Sequence, residues 1–227
     1  IMDAAVAEDQ PTLDRIAELA KPLEEIRNRV VAEATAPIDG ARESCRAVEC
    51  PMGNLIAEAM LDRVAGQGVT IAIQNGGGIR ASIDAGPVTM GEVLTVLPFQ
   101  NTLSTFEVTG AVIVAAEHGV SQVEEGSGRF PQVAGLKYTF DPAAPAGSRI
   151  SEVMALVGGD AWAPIDPATV YKVVSNNFVR GGGDGYAMFV DAANAYDFGP
   201  DLADVTAAYL AKVGPYTPFT DGRITRK

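Results

Sequence analysis

The sequence predicts an α+β fold in which mixed β-sheets are flanked by helices. Segments with apolar residues at steps of three and four, typical of helices, occur among short β-rich apolar runs. The two kinds of segment do not alternate strictly, which favours a mixed sheet over a doubly wound parallel sheet. With 227 residues, 47% of them hydrophobic, the chain can form one large domain or two small ones with a substantial core, and the composition predicts a folded chain.

The first third of the chain predicts two helices and two strands. Residues 13–30 carry apolar side chains at helical spacing, and Pro22 is expected to kink or divide that helix because it lacks an amide donor. A strand is predicted at residues 30–38, and a second helix at 52–65. Residues 69–73 form a short apolar run that predicts a buried strand leading into a glycine-rich loop.

The remainder of the chain is predicted to be richer in strands. Thr89 and Glu92 have the spacing of a capping box, which predicts a helix reaching about Val96. Thr109 is expected to cap a helix at residues 111–118. The other predicted elements are strands at 103–108, 136–140, 150–156, 170–174 and 222–225 and a helix at 201–213.

The charge of the chain excludes one class of partner. The formal net charge is −12 and the sequence pI is about 4.5, so the surface repels nucleic-acid polymers. A small anion remains an acceptable ligand, because a few local arginines can reverse the field inside one pocket. No apolar run is long enough to predict a membrane span. The chain starts at Ile1, so the lack of a visible signal peptide says nothing about export.

Cysteine and histidine usage bears on redox state and metal binding. Cys45 and Cys50 are close enough for a small disulfide loop, and the alternatives are two free thiols or half of a metal site. A disulfide would favour an oxidising compartment. His118 is the only histidine, whereas hydrolytic metal centres usually use several histidine and carboxylate ligands. We therefore interpret His118 as a helix C-terminal cation or a core histidine.

The glycine-rich segment at residues 75–80 follows a predicted strand. Its three glycines allow close approach of a ligand to the backbone, and Arg80 offers a planar donor fork for phosphate or ribose oxygens. Asn75 can donate and accept hydrogen bonds. The spacing matches neither a P-loop nor a dinucleotide-binding fingerprint. The alternative is a tight turn with a surface arginine.

A second glycine-rich segment, residues 176–186, also follows a predicted strand. Phe178 could stack on a nucleobase, and Asp184 could accept hydrogen bonds from ribose hydroxyls. The alternative is a flexible loop with Phe178 in the core. Two further candidates are Phe99, which is otherwise a core residue, and Arg46 between the cysteines, which is otherwise a surface arginine paired with Glu49.

Together these segments resemble the C-terminal domain of the 5'-nucleotidase family, over residues 13–227. The family includes bacterial UDP-sugar hydrolases/5'-nucleotidases and animal ecto-5'-nucleotidase. The motifs that carry the resemblance occur in the family's order and spacing: Cys50-Pro51-Met52-Gly53-Asn54-Leu55-Ile56, Asn75-Gly76-Gly77-Gly78-Ile79-Arg80, Leu97-Pro98-Phe99, and Asn177-Phe178 with Gly182-Gly183-Asp184-Gly185.

The resemblance implies roles for these residues. Two aromatic rings sandwich the base, an aspartate binds the ribose, and a disulfide loop carries an arginine. The implied substrate-binding residues are Arg46, Asn75, Gly77, Gly78, Arg80, Phe99, Phe178, Gly183 and Asp184, with a disulfide between Cys45 and Cys50 and no metal ligand in this chain.

The resemblance also implies how the chain is organised and what it does. Residues 1–30 are expected to form an interdomain linker helix and residues 31–227 the substrate-binding domain. An N-terminal metallophosphoesterase domain, acting in cis with two divalent metal ions, is absent from this chain, so the chain alone is expected to be inactive. The implied reaction is hydrolysis of nucleoside 5'-monophosphates, with UDP-sugars or other nucleotides as further substrates. The implied location is periplasmic, extracellular or at the cell surface.

Three other interpretations remain. The chain could be a stand-alone nucleotide-binding module, or the C-terminal domain of a 2',3'-cyclic phosphodiesterase/3'-nucleotidase. Members of that sister family look different at the glycine-rich and second aromatic loops. The third interpretation is a structural domain that has lost binding, and the retained Phe99, Phe178, Asp184 and Arg80 argue against it.

Overall fold

The computed structural model describes residues 8–120 and 126–227 and confirms the α+β class. Its helices α1–α7 are Gln10–Asn28, Arg42–Cys45, Pro51–Arg63, Met90–Val96, Gly110–Val120, Asn177–Arg180 and Leu202–Val213. Its strands β1–β11 are Val30–Ala34, Ile71–Asn75, Gly86–Thr89, Leu103–Thr109, Pro131–Ala134, Leu136–Phe140, Ile150–Gly158, Ala161–Pro164, Val170–Asn176, Ala193–Tyr196 and Ile224–Arg226. Short 3₁₀ helices cover Gly76–Gly78, Gly183–Gly185 and Ala187–Phe189.

Within the described residues the strands form three sheets. The largest has five strands in the order β10-β4-β9-β2-β5, in which only β2 and β9 run parallel. A four-stranded sheet has the order β11-β6-β7-β8, with β11 parallel to β6. Strands β1 and β3 form an antiparallel pair. Both larger sheets are therefore mixed, as the irregular order of helices and strands predicts.

The five-stranded sheet is the middle layer, because its two faces contribute to different cores. On β2, Ala72 packs into a core built with α3, α4 and α7, whereas Ile71 and Ile73 pack into a second core with α5, β6, β7 and β11. Val173 and Val174 on β9 divide in the same way. This alternation is the two-residue period of a strand that is buried on both faces.

Local sequence signals explain where several helices begin. The predicted capping box is present: the Thr89 hydroxyl accepts from the Glu92 amide at 3.2 Å, and the Glu92 carboxylate accepts from the Thr89 amide at 2.8 Å. Helix α7 begins after Asp201, whose carboxylate accepts from the amides of Ala203 and Asp204. These caps satisfy amides that have no partner within the helix.

The structure differs from the prediction in several elements. Helix α1 runs through Pro22 and is not divided. Strand β1 ends at Ala34 instead of continuing to Ile38, because its partner β3 begins at Gly86, opposite Ala34, and the next amide, of Thr35, donates to the Tyr216 carbonyl. Strands β2 and β9 continue two residues further than predicted, to Asn75 and Asn176. Strands β3, β5, β8 and β10 were not predicted. The side chain of His118 lies outside the described part of the chain.

Helix α1 lies along α4 and has no buried residue. Among the described residues, no helix combines the length and the apolar character needed to cross a membrane.

Candidate functional site

Three of the four predicted site segments, and one segment that was not predicted, meet at one edge of the five-stranded sheet. The parallel strands β2 and β9 both end there, at Asn75 and Asn176. Strands β4 and β5 run antiparallel to them and begin at the same edge, with Leu103 opposite Asn176 and Pro131 opposite Asn75. The segments that follow β2 and β9 and precede β4 and β5 therefore lie close together, which is how sheet topology commonly forms a ligand crevice.

These segments enclose a cavity of about 540 Å³, a size suited to a small-molecule ligand. Eight of the nine predicted substrate-binding residues line it. The exception is Gly183, which lies beneath the Phe178 ring. The lining also includes two residues that the sequence did not single out. The complete lining is Arg46, Asn75, Gly77, Gly78, Arg80, Phe99, Asn101, Gly128, Phe178 and Asp184.

The two aromatic residues of the cavity are exposed. Phe99 is 56% exposed and Phe178 is 47% exposed, so neither ring belongs to a core, and the core alternative for both is wrong. Gly183 allows the Phe178 ring to lie across its loop, since a Cβ on this glycine would stand 2.5 Å from two ring carbons. On the other side, the Arg80 guanidinium lies 5.8 Å from the centre of the Phe99 ring.

A chain of amides fixes the polar floor of the cavity. The Asn75 side-chain amide donates to a carboxylate oxygen of Asp184 at 2.6 Å. The Asn176 amide in turn donates to the side-chain oxygens of Asn75 and Gln74, each at 3.0 Å. Asp184 itself has a left-handed backbone, with φ 54°. Asp184 therefore presents a carboxylate that is already oriented from one side before any ligand enters.

Arg46 places a second guanidinium on the wall of the cavity. Its side chain is only 8% exposed, and its Nε atom has no hydrogen-bond partner among the described residues. Burial, together with the positive charges of Arg42 and Arg80, lowers the pKa of the Arg46 guanidinium. The carboxylates of Asp184 and Glu43 act in the opposite direction, but neither forms a salt bridge with Arg46. Arg46 is thus a buried cation without a direct ion pair among the described residues, a condition that favours binding of an anion.

The loop that carries Arg46 is held from several sides. Cys45 and Cys50 form a disulfide, the pairing that the resemblance implies. The buried Gln132 on β5 donates to the Cys45 and Val48 carbonyls at 3.1 and 2.7 Å and accepts from the Cys50 amide at 3.2 Å. The loop is therefore fixed to the sheet by a side chain as well as closed by a covalent bond.

Glu49 does not pair with Arg46, so the surface ion-pair alternative for this loop is wrong. Its carboxylate accepts from the Asn54 side chain at 2.7 Å and from the Asp221 and Gly222 amides at 2.8 and 2.9 Å. This side of the loop is bound to α3 and to the C-terminal segment, which leaves Arg46 directed to the cavity alone.

The residues present do not fit a dinuclear metal centre. Among the side chains that the structure describes, at residues 8–115 and 126–227, no group of three or more histidine, cysteine, aspartate or glutamate residues is placed to hold a metal ion. The cavity offers amides, guanidinium groups and one carboxylate. These groups recognise an anionic, hydroxylated ligand, and we derive no metal-dependent step from this chain.

Two lining residues, Asn101 and Gly128, were missed by the sequence analysis. Asn101 lies in the loop before β4, two residues after the predicted Phe99, and its residue type alone did not mark it. Gly128 does carry a signal, because it belongs to a glycine-containing stretch just before β5. Its carbonyl accepts from the Gly77 amide at 2.6 Å, so the backbone of this stretch supports the first glycine-rich loop.

Comparisons with known proteins agree with this geometry. The sequence profile described as "5'-nucleotidase, C-terminal domain" matches residues 30–191. Trifunctional nucleotide phosphoesterase protein YfkN of Bacillus subtilis is 41% identical over 227 residues, which cover 98% of this chain and 16% of that protein. Human 5'-nucleotidase is 30% identical over 238 residues, covering 99% of this chain and 42% of that protein.

The fold also matches that of a solved structure. The crystal structure of a 5'-nucleotidase precursor from Thermus thermophilus superposes with a TM-score of 0.90 at 39% identity, covering 98% of this chain and 44% of that one. The chain spans less than half the length of each of these relatives. It belongs to the 5'-nucleotidase C-terminal domain family.

Proposed function

We propose that this chain is the nucleotide-binding domain of a 5'-nucleotidase and that its cavity holds a nucleoside 5'-monophosphate. One observation carries the proposal: two exposed phenylalanine rings, an oriented carboxylate and two arginines line the same cavity. A nucleotide has a flat apolar base, a hydroxylated sugar and an anionic phosphate, and each of these parts has a matching group here.

The base is expected to lie between Phe99 and Phe178. Both rings stand exposed on segments at the sheet edge, and stacking on aromatic faces is the common way in which proteins hold single bases. Asn101 lines the same part of the cavity between β4 and Phe99 and can donate to or accept from the edge of a base.

The sugar and the phosphate are expected to face the polar groups. Asp184 can accept hydrogen bonds from the ribose hydroxyls while Asn75 keeps its carboxylate oriented. The phosphate can supply the direct ionic partner that Arg46 lacks among the described residues, and Arg80 lies close enough to lower the Arg46 pKa, so both can share one anion. Local arginines thereby overcome the overall charge of −12.

Hydrolysis itself is assigned to another domain. Two divalent metal ions on an N-terminal metallophosphoesterase domain, acting in cis, would supply the activated water that attacks phosphorus. The residues of this chain bind and orient the nucleotide. The isolated chain should therefore release no phosphate from AMP, even with Mn²⁺, Zn²⁺ or Co²⁺ added. Metal-dependent release that survives purification controls would contradict this assignment.

A periplasmic, extracellular or cell-surface location is part of the proposal. The disulfide supports it, because structural disulfides form and persist in oxidising compartments. Mass analysis of the protein from its native source, after thiol alkylation without reductant, would count reactive thiols. Two reactive thiols would speak against export.

Calorimetric titration with AMP, adenosine and ribose 5-phosphate tests the binding proposal. We expect AMP to bind about tenfold more tightly than either partial ligand, since each lacks one set of contacts. Absence of saturable AMP binding at millimolar concentration would contradict the proposal. Tighter binding of 3'-AMP than of AMP would instead favour a domain of the 3'-nucleotidase type.

A further inference from the structure

Asn177 connects the two segments that carry the aromatic rings. It is the first residue of α6 and directly precedes Phe178, while Thr102 follows Phe99 by three residues and directly precedes β4. The Asn177 amide donates to the Thr102 carbonyl at 2.9 Å. In return, the Thr102 amide donates to the Asn177 side-chain oxygen at 3.1 Å. The pair is reciprocal, although its members are 75 residues apart in the chain.

The side chain of Asn177 replaces a backbone partner that is lost at this point. The regular ladder between β4 and β9 ends with Leu103 opposite Asn176. At Asn177 the chain turns into a helix, and its carbonyl accepts from the Gly181 amide at 2.9 Å instead of facing β4. Because the β9 backbone turns away here, it offers no carbonyl to the Thr102 amide. The side-chain oxygen of Asn177 accepts from that amide instead. Side chains of this type commonly satisfy backbone groups where regular structure ends.

We infer that Asn177 is a positioning residue that sets the Phe178 ring relative to the Phe99 ring. This inference rests on the proposed function, because it concerns the same pair of rings. One segment precedes β4 and the other follows the neighbouring strand β9, and the reciprocal hydrogen bonds join the two segments beyond the end of the β4–β9 ladder. Each segment carries one ring within three residues of this link. Two rings can hold a base on both faces only when their separation is fixed before the base enters.

The location of Asn177 makes this role separable from folding. Its side chain is exposed, and the hydrogen bond to Thr102 is at the surface, so its loss should affect melting temperature little. The neighbouring Asn176 is fully buried and uses its amide as a donor to Gln74 and Asn75. The two adjacent asparagines therefore need opposite parts of the same side chain, the oxygen in Asn177 and the amide donors in Asn176.

This difference gives a matched test with Asn177→Ala, Asn177→Asp and Asn176→Asp. Adenosine affinity should fall by up to about fivefold in Asn177→Ala, because the ordering that this neutral hydrogen bond supplies before binding must then be supplied when the base binds. Asn177→Asp keeps an acceptor for the Thr102 amide and should restore most of the lost affinity. Asn176→Asp is the same amide-to-carboxylate change, but it removes the amide donors to Gln74 and Asn75 and should therefore lower adenosine affinity. Ribose 5-phosphate has no base, so Asn177→Ala should bind it as the wild type does.

The outcomes separate this inference from the proposed function. Equal adenosine affinity in the wild type and Asn177→Ala would overturn the inference and leave the proposed function intact. An equal loss of affinity for adenosine and ribose 5-phosphate in Asn177→Ala would also overturn it, because the substitution would then weaken the whole cavity and not the contact with the base. Failure of Asn177→Asp to restore binding would overturn it as well, because the acceptor for the Thr102 amide would then not matter. Wild-type protein that binds no adenosine would overturn both. Melting temperatures of all variants identify any that fail to fold.

Discussion

Two buried arginines, Arg46 and Arg223, have opposite surroundings. Arg46 is 8% exposed and Arg223 is 5% exposed. The Arg223 guanidinium bonds to Asp221 at 2.8 and 2.9 Å, to Glu58 at 2.9 Å and to the Val133 carbonyl at 3.0 Å. Arg46 forms no salt bridge with any described residue, and its Nε has no partner there.

The difference distinguishes a cation that serves the fold from a cation that serves a ligand. Burying a charge is unfavourable unless charges and hydrogen bonds compensate it. Arg223 has that compensation, and it joins the C-terminal segment to α3 and β5. Arg46 forms no such ion pair. Burial, Arg42 and Arg80 lower its pKa more than the nearby carboxylates of Asp184 and Glu43 raise it, so the protonated side chain opposes folding at neutral pH. A bound anion would supply the missing ion pair, so an arginine in these surroundings fits a ligand-binding site.

The largest expected effect is on stability, in Arg223→Met. Removing this guanidinium leaves the buried Val133 carbonyl unpaired and the three carboxylates of Glu49, Glu58 and Asp221 close together. We expect a loss of about 3 kcal/mol in the free energy of unfolding, the lower end for a broken buried pair, since Glu58 and Asp221 keep some exposure. For a chain of this length the melting temperature should fall by about 6–12 °C.

The same variant should bind AMP normally in its folded fraction. Glu49 retains three other hydrogen bonds that hold the Arg46 loop, so the cavity should stay formed. A large loss of AMP affinity below the melting transition would show that the two arginines are not separate in function.

The next largest expected effect is on ligand binding, in Arg46→Met. Methionine keeps much of the aliphatic packing and removes the charge. We expect AMP affinity to fall by about 1.5–3 kcal/mol, or roughly tenfold or more, because a charge-assisted hydrogen bond to the phosphate is lost. Adenosine affinity should change little, since adenosine has no phosphate.

The stability of Arg46→Met should move in the opposite direction from that of Arg223→Met. Because the unpaired cation opposes folding, the melting temperature should equal or exceed that of the wild type. Thermal denaturation of the two methionine variants side by side, without ligand, makes this comparison. A drop in Arg46→Met as large as that in Arg223→Met would show that Arg46 is a structural residue.

The smallest expected effect on AMP binding is that of the disulfide, tested in the double variant Cys45→Ala with Cys50→Ser. Serine is chosen because Cys50 caps α3 through its sulfur, and a hydroxyl can take that role. A loop this short restricts the unfolded chain by only about 2 kcal/mol in the chain-entropy estimate. Gln132 should keep the loop in place, so AMP affinity should fall only a few fold. Loss of all AMP binding would show that the disulfide alone positions Arg46.

Much of the fold could be predicted from the sequence, and the gaps have physical causes. Helices with strong caps, such as α4 after Thr89, begin where predicted because local hydrogen bonds decide the start. The four missed strands have four residues each, too few to show a period. Strand β5 starts with Pro131 and is buried throughout, and β10 is an exposed edge strand, so neither has the alternating pattern of a half-buried strand.

The site was largely predictable because glycine-rich loops after strands are visible in sequence. The burial of Arg46 was not, since it depends on contacts made by residues far along the chain, such as Gln132 and Asp221. Asn101 was missed because a single asparagine in a loop carries no signal of its own. The link between Asn177 and Thr102 requires knowing that β4 and β9 are neighbours, which only the fold reveals.

The most direct test of the account is whether Phe99 and Phe178 bind a base or stabilise the fold. Adenosine affinity and melting temperature should be measured for Phe99→Ala and Phe178→Ala. The control is Phe198→Ala, which removes a ring that is 83% exposed and lies outside the cavity lining. We expect each cavity variant to lose about 1–3 kcal/mol of adenosine binding with a nearly unchanged melting temperature, and the control to change neither. A fall of about 3–5 kcal/mol in folding stability, with affinity retained in the folded fraction, would contradict the account.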